Sequence, residues 1–400
     1  MEKLRLQDLD LKDKKVLVRV DFNVPLNEDG TISDDTRLRE SLPTIQYILK
    51  AGGCVILMSH LGRPKGIDLK FSLKPCKTAL SELLNQPVEM ADDCIGEKTK
   101  KMAQALKAGQ ILLLENLRFY PAEEKPSIDP LFAQKLAELG DIYVNDAFAT
   151  AHRAHSSTAA IAQFFQNKAT AGLLLQKEIH AFESLISNPK RPFYVVIGGS
   201  KISTKMGVLK SLLSKADGIF IGGGMAFTFY KAQGIRIGDS IYEDDELPKA
   251  LDFIKECSKK NIPLWLPSDL KIADAFTNEA NSKIVSISEG IPNGWRGMDI
   301  GPQTLEEWKK LLQNAQTIFW NGPLGVFELP HFAQGTQQIA QAIANLKAIT
   351  IVGGGDSVAA INQIRLASKF THVSTGGGAS LEYIEFGHLP GIDALSDKKK

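Results

Sequence analysis

The sequence contains few cysteines, and none of them lie close together. The four are scattered along the chain, at Cys54, Cys76, Cys94 and Cys257, and no C-x-x-C pair occurs. A disulfide framework or a thiolate zinc site needs closely spaced cysteines, so neither is indicated. We expect these residues to act as small side chains of the core, with free thiols.

Long apolar runs and an excess of one charge are also missing. No apolar stretch approaches the roughly 18 residues that are needed to cross a bilayer, and residues 1–15 lack the apolar segment of a secretory signal. The 47 basic and 46 acidic residues leave a formal net charge of +1, which gives no overall attraction to nucleic acid or to membranes. We expect a cytoplasmic protein that recognises anions only locally.

Two standard phosphate-binding motifs are absent as well. The segment most like a P-loop, GGSKISTKMG at 198–207, does not match G-x-x-x-x-G-K-[ST]. The glycine pairs that begin at Gly222, Gly353 and Gly376 lack the third glycine of the dinucleotide fingerprint. A standard dehydrogenase is therefore disfavoured. An NAD-dependent dehydrogenase remains the alternative enzyme class, which a titration with the cofactor would test.

What the sequence does contain is an alternation of short Val-, Ile- and Leu-rich runs with helical patterns, which is typical of parallel α/β sheets. Buried strands are predicted at 16–21, 54–59, 111–114, 142–146, 193–197, 218–221, 263–266, 317–320 and 349–352. Helices are predicted over 35–50, after Asp34, and over 131–139, with Pro130 at the first helical position. Because 400 residues exceed one ordinary core, we predict two doubly wound, Rossmann-like parallel-sheet domains.

A further helix is predicted between the two halves, over residues 172–187. Its apolar positions recur at helical spacing and Asn188-Pro189 ends the pattern, the spaced residues being Leu175, Ile179, Phe182 and Ile186. This pattern leaves two interpretations open. The segment is either a hinge arm between domains or an ordinary packed helix at a domain edge.

The second half contains three glycine triplets, at 222–224, 353–355 and 376–378, each after an apolar run. Glycines let the backbone approach a ligand closely, and a following helix directs free N–H groups at an anion. Lys201 and Lys205 lie four residues apart, so both could reach a polyphosphate from one helix face. These features predict a nucleotide-phosphate site.

Two acidic residues of the second half have alternative interpretations. Asp356 could hold a Mg²⁺ ion that bridges phosphates, or it could only cap a helix; the glycine triplet before it favours the first. Glu328 follows an Asn-Gly-Pro turn and could accept hydrogen bonds from a ribose, or it could be an ordinary surface residue.

The first half carries charged and polar residues at the ends of its predicted strands. Asp21 and Asn23 end the first strand, at the edge where α/β sheets bind ligands. Four arginines are predicted at this edge, namely Arg37, Arg63, Arg118 and Arg153. Guanidinium groups bind carboxylates and phosphates bidentately, so this set predicts a pocket for a small polyanion.

A metal site is the alternative interpretation of the same region. Its ligands would be His60, His152, His155 and Asp146. The H-x-x-H spacing differs from the H-E-x-x-H of helical zinc sites, and the charge of Arg153 would oppose a cation. A hydrogen-bonding role for the histidines near an anion is favoured.

Ten segments resemble phosphoglycerate kinase, in the order in which that family has them. They are VRVDFNVPL at 18–26, SHLGRP at 59–64, LLLENLRF at 112–119, DAFATAHRAH at 146–155, GGSKISTK at 198–205, GGGMAF at 222–227, GWRGMDIGP at 294–302, FWNGPLGVFE at 319–328, GGGDS at 353–357 and STGGGASLE at 374–382. Several are generic alone, but together they cover nearly the whole chain.

The resemblance implies reversible transfer of the acyl phosphate of 1,3-bisphosphoglycerate to ADP, giving ATP and 3-phosphoglycerate, in glycolysis. It also implies a monomer that uses Mg²⁺ as Mg-ADP or Mg-ATP. The 3-phosphoglycerate-binding domain would comprise residues 1–171 plus about 385–400, the hinge helix 172–187 and the Mg-nucleotide-binding domain 188–384. Domain closure would bring the two ligands together.

The resemblance further implies the site residues, position by position. The substrate-binding set is Asp21, Phe22, Asn23, Arg37, His60, Leu61, Gly62, Arg63, Arg118 and Arg153. The nucleotide-binding set is Lys205, Gly222, Gly223, Gly297, Glu328, Gly354, Gly355, Asp356 and Ser357, with Asp356 also near the metal. The catalytic set is Arg37, Lys201, Lys205, Gly376, Gly377 and Gly378.

The chain departs from the family pattern at several positions. Arg296 replaces a commonly apolar residue, Ala149 and Ser357 stand where the family often has Gly and Thr, and residues 386–388 differ from the usual approach to Leu-Pro-Gly. A noncatalytic two-lobed phosphosugar-binding protein remains the second alternative, because anion pockets alone do not prove turnover. An assay in which ATP is consumed only after 3-phosphoglycerate is added would exclude it.

Overall fold

The computed structural model describes residues 3–398, and the chain divides into two compact units. The first unit comprises the residues up to His180 together with those from His388 onward, and the second unit comprises Ala181–Gly387. Residues 1–2 and 399–400, at the two ends of the predicted substrate-binding domain, lie outside the described residues.

The first unit is built on six parallel strands. In chain order they are β1 (Lys15–Arg19), β2 (Cys54–Met58), β3 (Glu89–Met90), β4 (Ile111–Leu113), β5 (Ile142–Asn145) and β6 (Ala169–Ala171). Their order across the sheet is β3-β4-β2-β1-β5-β6. Every residue of β2 and β5 is buried, as expected for a parallel sheet with both faces covered.

Helices connect these strands. They are α1 (Thr36–Lys50), α2 (Lys74–Leu84), α3 (Glu97–Ala105), α4 (Leu131–Ala137) and α5 (Leu173–Ser187). The predicted start of α1 was one residue early, because Asp34 accepts a hydrogen bond from the backbone N–H of Thr36 at 2.9 Å. Pro130 was also misplaced by one position, since it precedes α4 as its N-cap.

The second unit has its own sheet of six parallel strands. They are β7 (Phe193–Ile197), β8 (Gly218–Ile221), β9 (Leu264–Trp265), β13 (Thr317–Asn321), β14 (Ile349–Gly353) and β15 (His372–Val373), in the spatial order β15-β14-β13-β7-β8-β9. The helices are α6 (Met206–Leu213), α7 (Met225–Ala232), α8 (Leu247–Lys259), α9 (Pro302–Leu312), α10 (Gln334–Ala344), α11 (Gly355–Gln363) and α12 (Gly378–Phe386). Two doubly wound parallel sheets confirm the predicted fold class.

A small antiparallel sheet in the second unit was not predicted. Its strands β10 (Asp269–Ala273), β11 (Ser282–Ser286) and β12 (Arg296–Ile300) lie in the order β11-β10-β12. The outer strand β11 has only one buried residue, Val285. Such a strand carries no continuous apolar run that would reveal it in the sequence.

The chain crosses between the two units twice, once within α5 and once after Gly387. The boundary between them, after His180, falls inside α5. Beyond the second unit, the last helix, α13 (Pro390–Asp393), belongs to the first unit. Backbone hydrogen bonds from Leu4 to Ser396 and from Ser396 to Ala169 attach this terminal segment beside β6.

Candidate active site

The parallel register of the first sheet gathers the predicted substrate residues at one edge. The residues 20–23 follow β1, 59–63 follow β2, and Arg118 lies in a short helical turn after β4. Arg153 follows β5 in the same way, beyond the turn Phe148–Thr150. All four connections therefore leave from the carboxyl ends of neighbouring strands, where ligands of α/β sheets bind.

The first turn of α1 adds the fifth element of this site. Arg37 forms an ion pair with Asp21, whose side chain is 10% exposed. Burial lowers the pKa of the Arg37 guanidinium, which nevertheless stays charged at any physiological pH. Asp21 thereby holds a cation at the strand edge without covering it, because the Arg37 side chain remains 35% exposed.

Gly62 is held from both sides by two other predicted residues. Its N–H donates to Oδ1 of Asn23 at 2.8 Å, and its carbonyl accepts from Nη1 of Arg118 at 2.8 Å. Its φ is +63°, and a Cβ there would overlap the ring of Phe71. A side chain at this position would be strained on both counts.

The remaining predicted residues of the first unit divide into exposed and buried ones. Arg63 and Arg153 are exposed, and Nε of Arg153 lies 3.2 Å from Nε2 of His152. Phe22 and Leu61 are buried in the hydrophobic core. Only their backbone groups could therefore contact a ligand, and the N–H of Phe22 already donates to Ser59 Oγ.

Burial and the positive charges at this edge lower the pKa of His60. The ring is 3% exposed, and its burial lowers the pKa well below the usual value, with the charges of Arg19, Arg118 and Arg37 acting in the same direction. His60 is therefore neutral. Since a guanidinium has no acceptor, the Nδ1 that lies 3.1 Å from Arg19 Nη2 must accept, which leaves the proton on Nε2.

His155 shows the same concentration of positive charge. Burial, followed by the charges of Arg19, Arg118 and Arg153, lowers its pKa to about 3. Guanidinium groups from different strand ends thus act on the same small volume. Within residues 3–398, no group of three or more His, Cys, Asp and Glu side chains is placed to hold a metal ion.

Arg19, the last residue of β1, is a member of the site that the sequence did not suggest. It is 1% exposed, and its Nε donates to Ser157 Oγ at 2.8 Å. Its Nη2 lies 3.9 Å from the fully buried carboxylate of Glu123, which also accepts from the N–H and hydroxyl of Ser157. The only sequence signal was a basic residue inside an apolar run.

Asp146, considered above as a metal ligand, has a structural role instead. Its Oδ1 accepts from the N–H groups of Leu174 and Leu175 at 3.0 and 3.1 Å, in the first turn of α5. Burial raises its pKa to about 7. The carboxyl group therefore ties the end of β5 to the helix in which the boundary between the units lies.

In the second unit, the three glycine triplets end strands or adjoin them and begin helices. They precede α7, α11 and α12, as the sequence predicted. Gly377 has φ +54° and is the N-cap of α12, and the N–H of Gly376 donates to Ser374 Oγ. These helix starts all lie at the carboxyl edge of one parallel sheet, where the positive end of a helix dipole favours an anion. At α7 the N–H groups of Gly222, Gly223 and Met225 already donate to backbone carbonyls.

Lys205 and Asn321 form the centre of this edge. The ammonium group donates to Oδ1 of Asn321, whose Nδ2 donates to the carbonyl of Gly353 at 2.7 Å. Burial lowers the pKa of Lys205 to about 8, although the negative charge of Asp356 opposes this shift. Lys201, by contrast, is exposed, and the prediction that both lysines lie on one helix face is wrong, because α6 begins at Met206 and Lys205 is its N-cap. Asn321 was missed because Asn-Gly-Pro predicts only a turn.

The structure contradicts one of the two interpretations of Asp356, its role as a helix cap. The N-cap of α11 is Gly354, which has φ +93° and where a Cβ would meet the amide of Asn321. Asp356 lies one position inside the helix and makes no capping bond, so the capping interpretation is wrong. Ser357 is buried, and its hydroxyl accepts from the N–H of Gly322 at 2.5 Å.

A cleft of about 220 Å³ opens beside these residues in the second unit. Gly223, Gly297, Glu328 and Asp356 of the predicted nucleotide set line it. The other members of the set are not among the lining residues, namely Lys205, Gly222, Gly354, Gly355 and Ser357. A Cβ on Gly297 would overlap the ring of Phe227. Glycine at position 297 therefore lets the Phe227 ring pack against the backbone at the cleft.

The chain matches the family model for phosphoglycerate kinase over residues 6–386. The chain belongs to the phosphoglycerate kinase family. Among its relatives, "Phosphoglycerate kinase, cytosolic" of Triticum aestivum is 52% identical over 98% of both chains. "Phosphoglycerate kinase 1, chloroplastic" of Arabidopsis thaliana is 52% identical over 98% of this chain and 81% of the relative.

A solved phosphoglycerate kinase structure shows the same fold. The enzyme of Coxiella burnetii superposes with a TM-score of 0.88 at 41% identity over 98% of both chains. The predicted family and enzyme class are confirmed, and the reaction is that of phosphoglycerate kinases, the reversible conversion of 1,3-bisphosphoglycerate and ADP to 3-phosphoglycerate and ATP. The dehydrogenase and the noncatalytic binder are set aside. None of the helices in residues 3–398 is both long and apolar enough to span a bilayer.

Proposed function

We propose that the first unit binds the glycerate ligand beside Arg37, at the carboxyl edge of its sheet, and that the second unit binds Mg-ADP or Mg-ATP in the cleft beside Asp356. The acyl phosphate then passes directly, in line, from one ligand to the other. The observation that carries this proposal is that Arg37, Arg118 and Arg153 lie on connections that leave the carboxyl ends of neighbouring strands, where their charges line one pocket. Such a pocket suits a small ligand that bears a carboxylate and phosphates.

The chemistry fits a site without an acid or a base. In the direction of ATP formation the nucleophile is an anionic diphosphate oxygen, and the leaving group is a carboxylate, so neither needs a proton transfer. The protein must align the groups and neutralise the charge on the phosphoryl group in transfer. A neutral His60 with its proton on Nε2 can donate a hydrogen bond to the glycerate ligand.

The residues proposed to contact the phosphoryl group are Arg37 and Lys205. Both are cations whose charge is partly shielded from water, at 35% side-chain exposure for Arg37 and partial burial for Lys205. Lys201 and the backbone of residues 376–378 assist. Ionic donors fixed before the reaction stabilise developing charge more than mobile ones do.

Asp356 is the residue proposed to hold Mg²⁺. Magnesium in kinases is bound through one or two carboxylates, with substrate phosphates and waters completing the octahedron, and the exposed carboxylate of Asp356 beside the glycine triplet fits that donor set. When bound, the ion neutralises charge on the phosphate oxygens. Replacing Asp356 with Ala should raise the Mg-nucleotide requirement and leave 3-phosphoglycerate binding intact; calorimetry in which both affinities fall together would contradict this.

The decisive test is a coupled assay in which ATP consumption depends on added 3-phosphoglycerate. Arg37→Ala should lower kcat by roughly 10³, the scale of a transition-state cation in phosphoryl transfer. Arg39→Ala is the matched control, because Arg39 lies on the same helix and pairs with Asp35 on the exposed surface. If Arg37→Ala raised only KM, Arg37 would bind substrate without stabilising the transition state.

Direct transfer between ligands on two units requires that the units close, with α5 as the hinge. The support for this is that the predicted sites lie on separate units and that the unit boundary falls within α5. Small-angle scattering should show compaction only when both ligands are present. Equal scattering curves with one ligand and with two would count against closure.

We further propose a cytoplasmic monomer. The cytosolic wheat relative supports the location, while the chloroplastic Arabidopsis relative shows that the family also occurs elsewhere. Light scattering should give the mass of one 400-residue chain, and cell fractionation should recover the activity in the cytoplasmic fraction. A dimer mass or organellar activity would refute the respective part.

A further inference from the structure

Arg296, the first residue of β12, lines the cleft of the second unit. Its Nε is buried and has no hydrogen-bond partner. Buried donors in native proteins almost always have an acceptor, and an exception at a binding site marks a position where a ligand can supply one. The sequence had singled out this arginine as a departure, and neither the fold nor the proposed transfer chemistry uses it.

The surroundings of Arg296 indicate the kind of ligand group that fits. The neighbouring walls are largely apolar, with Phe227, Ile241, Met298 and Val326 among the lining residues. Phe276 stands in the same lining with 60% of its surface exposed. Apolar walls, an accessible aromatic ring and an unpartnered guanidinium donor suit a flat heterocycle with acceptors on its edge.

The donor chemistry of arginine discriminates between purines. A guanidinium donates hydrogen bonds and accepts none. A 6-oxopurine presents two adjacent acceptors, O6 and N7, whereas adenine presents N7 beside a donating amino group. The carboxylates of Asp239 and Glu328, also in the lining, accept hydrogen bonds and so leave a place for the adenine amino group.

We propose that Arg296 is a specificity-determining residue that raises the affinity of this chain for 6-oxopurine diphosphates, such as IDP, relative to ADP. The inference rests on the proposed function, because it requires the base to occupy the cleft of the second unit. An apolar side chain at position 296 would offer no donor to the purine edge. Selectivity between adenine and 6-oxopurine nucleotides would then not depend on a donor from position 296.

The test is calorimetric binding of Mg-ADP and Mg-IDP to the full chain and to three variants. IDP is the probe because it carries the 6-oxo group without the 2-amino group of guanine. In Arg296→Met the affinity for IDP relative to ADP should fall about tenfold, within the range for a bidentate arginine contact to a purine. Arg296→Lys keeps a long cationic side chain but lacks the planar fork, so the ratio should fall at least about threefold.

Arg236→Met is the matched control. Arg236 is exposed, its Nη2 donates to the carbonyl of Glu289, and it is not among the lining residues, so the ratio should not change. An unchanged ratio in Arg296→Met, or an equal fall in Arg236→Met, overturns the proposal. If the Met variant does not fold, an unchanged ratio in the Lys variant overturns it. If the unaltered chain does not bind Mg-ADP, the proposed nucleotide site itself is wrong.

Discussion

The buried pair of Arg19 and Glu123 allows stability and ligand binding to be separated. Both side chains are at most 1% exposed. Removing one partner of such a pair leaves an uncompensated charge and costs about 3 to 5 kcal/mol. Arg19→Met should therefore destabilise the first unit by this amount. The double variant Arg19→Met/Glu123→Gln removes both charges and should recover most of the loss.

The assay is hydrogen exchange of the peptide that covers residues 15–19. At about 1.4 kcal/mol per tenfold, exchange in Arg19→Met should be roughly a hundred to several thousand times faster than in the unaltered chain. All four tryptophans, Trp265, Trp295, Trp308 and Trp320, lie in the second unit. Their fluorescence should report an unchanged second unit and so serves as an internal control.

The acid dependence provides a second check on the same reasoning. Burial raises the pKa of Glu123 even with Arg19 beside it, and loss of the arginine raises it further. The destabilisation should therefore be full above that pKa and should disappear as the pH falls and the carboxylate takes up a proton. A defect that did not depend on pH would refute the argument from the unpaired charge.

The affinity for 3-phosphoglycerate tests whether Arg19 has a role in the site as well as in stability. His60 loses the guanidinium that Nδ1 accepts from in both variants, so 3-phosphoglycerate affinity should stay low in the double variant although stability returns. If the double variant bound 3-phosphoglycerate as the unaltered chain does, Arg19 would have only a structural role. If it were as unstable as the single variant, the loss would not come from the orphaned carboxylate.

Three further predictions concern pH and backbone geometry. Because the pKa of Lys205 is about 8, Mg-ADP affinity should fall up to about tenfold per pH unit above that value, and Lys205→Met should abolish this dependence in calorimetry. Burial raises the pKa of Asp146 in the folded state to about 7, above its usual 3.8. The contribution of Asp146 to stability is therefore full below pH 3.8 and is lost as the pH rises through 7. Asp146→Asn should remove this loss of stability, as measured by proteolysis of the first unit between pH 5 and 8. Gly354→Ala, at φ +93° and against the Asn321 amide, should cost about 1 to 3 kcal/mol in urea unfolding of the second unit followed by tryptophan fluorescence, whereas Gly355→Ala, with open space around the added Cβ, should unfold as the unaltered chain does.

The sequence predicted those parts of the fold in which burial alone determines the pattern. Strands such as β2 and β13 are buried along their whole length, so they appear as continuous apolar runs. The strands β3 and β6 have only two and three residues, too few to show any period. The antiparallel sheet depends on pairing between segments with mixed polarity, which no local pattern specifies.

The candidate site was predictable where its chemistry lies in glycines and cations at the ends of strands. Arg19 and Asn321 were not, because their roles come from partners far along the chain. Glu123 lies 104 positions after Arg19, and Lys205 lies 116 positions before Asn321. Only the folded sheet brings each pair together, so a basic residue in a strand or an asparagine in a turn carries no local sign of its role.

The return of residues 388–398 to the first unit sets the order in which the protein can be completed during synthesis. The second unit is one continuous segment, so it can fold as soon as it leaves the ribosome. The first unit must wait, although most of it is made earlier, because Asn145 donates to the carbonyl of Gly391, and Ala169 accepts from Ser396. Until that segment emerges, the hydrogen bonds that attach it beside β6 cannot form.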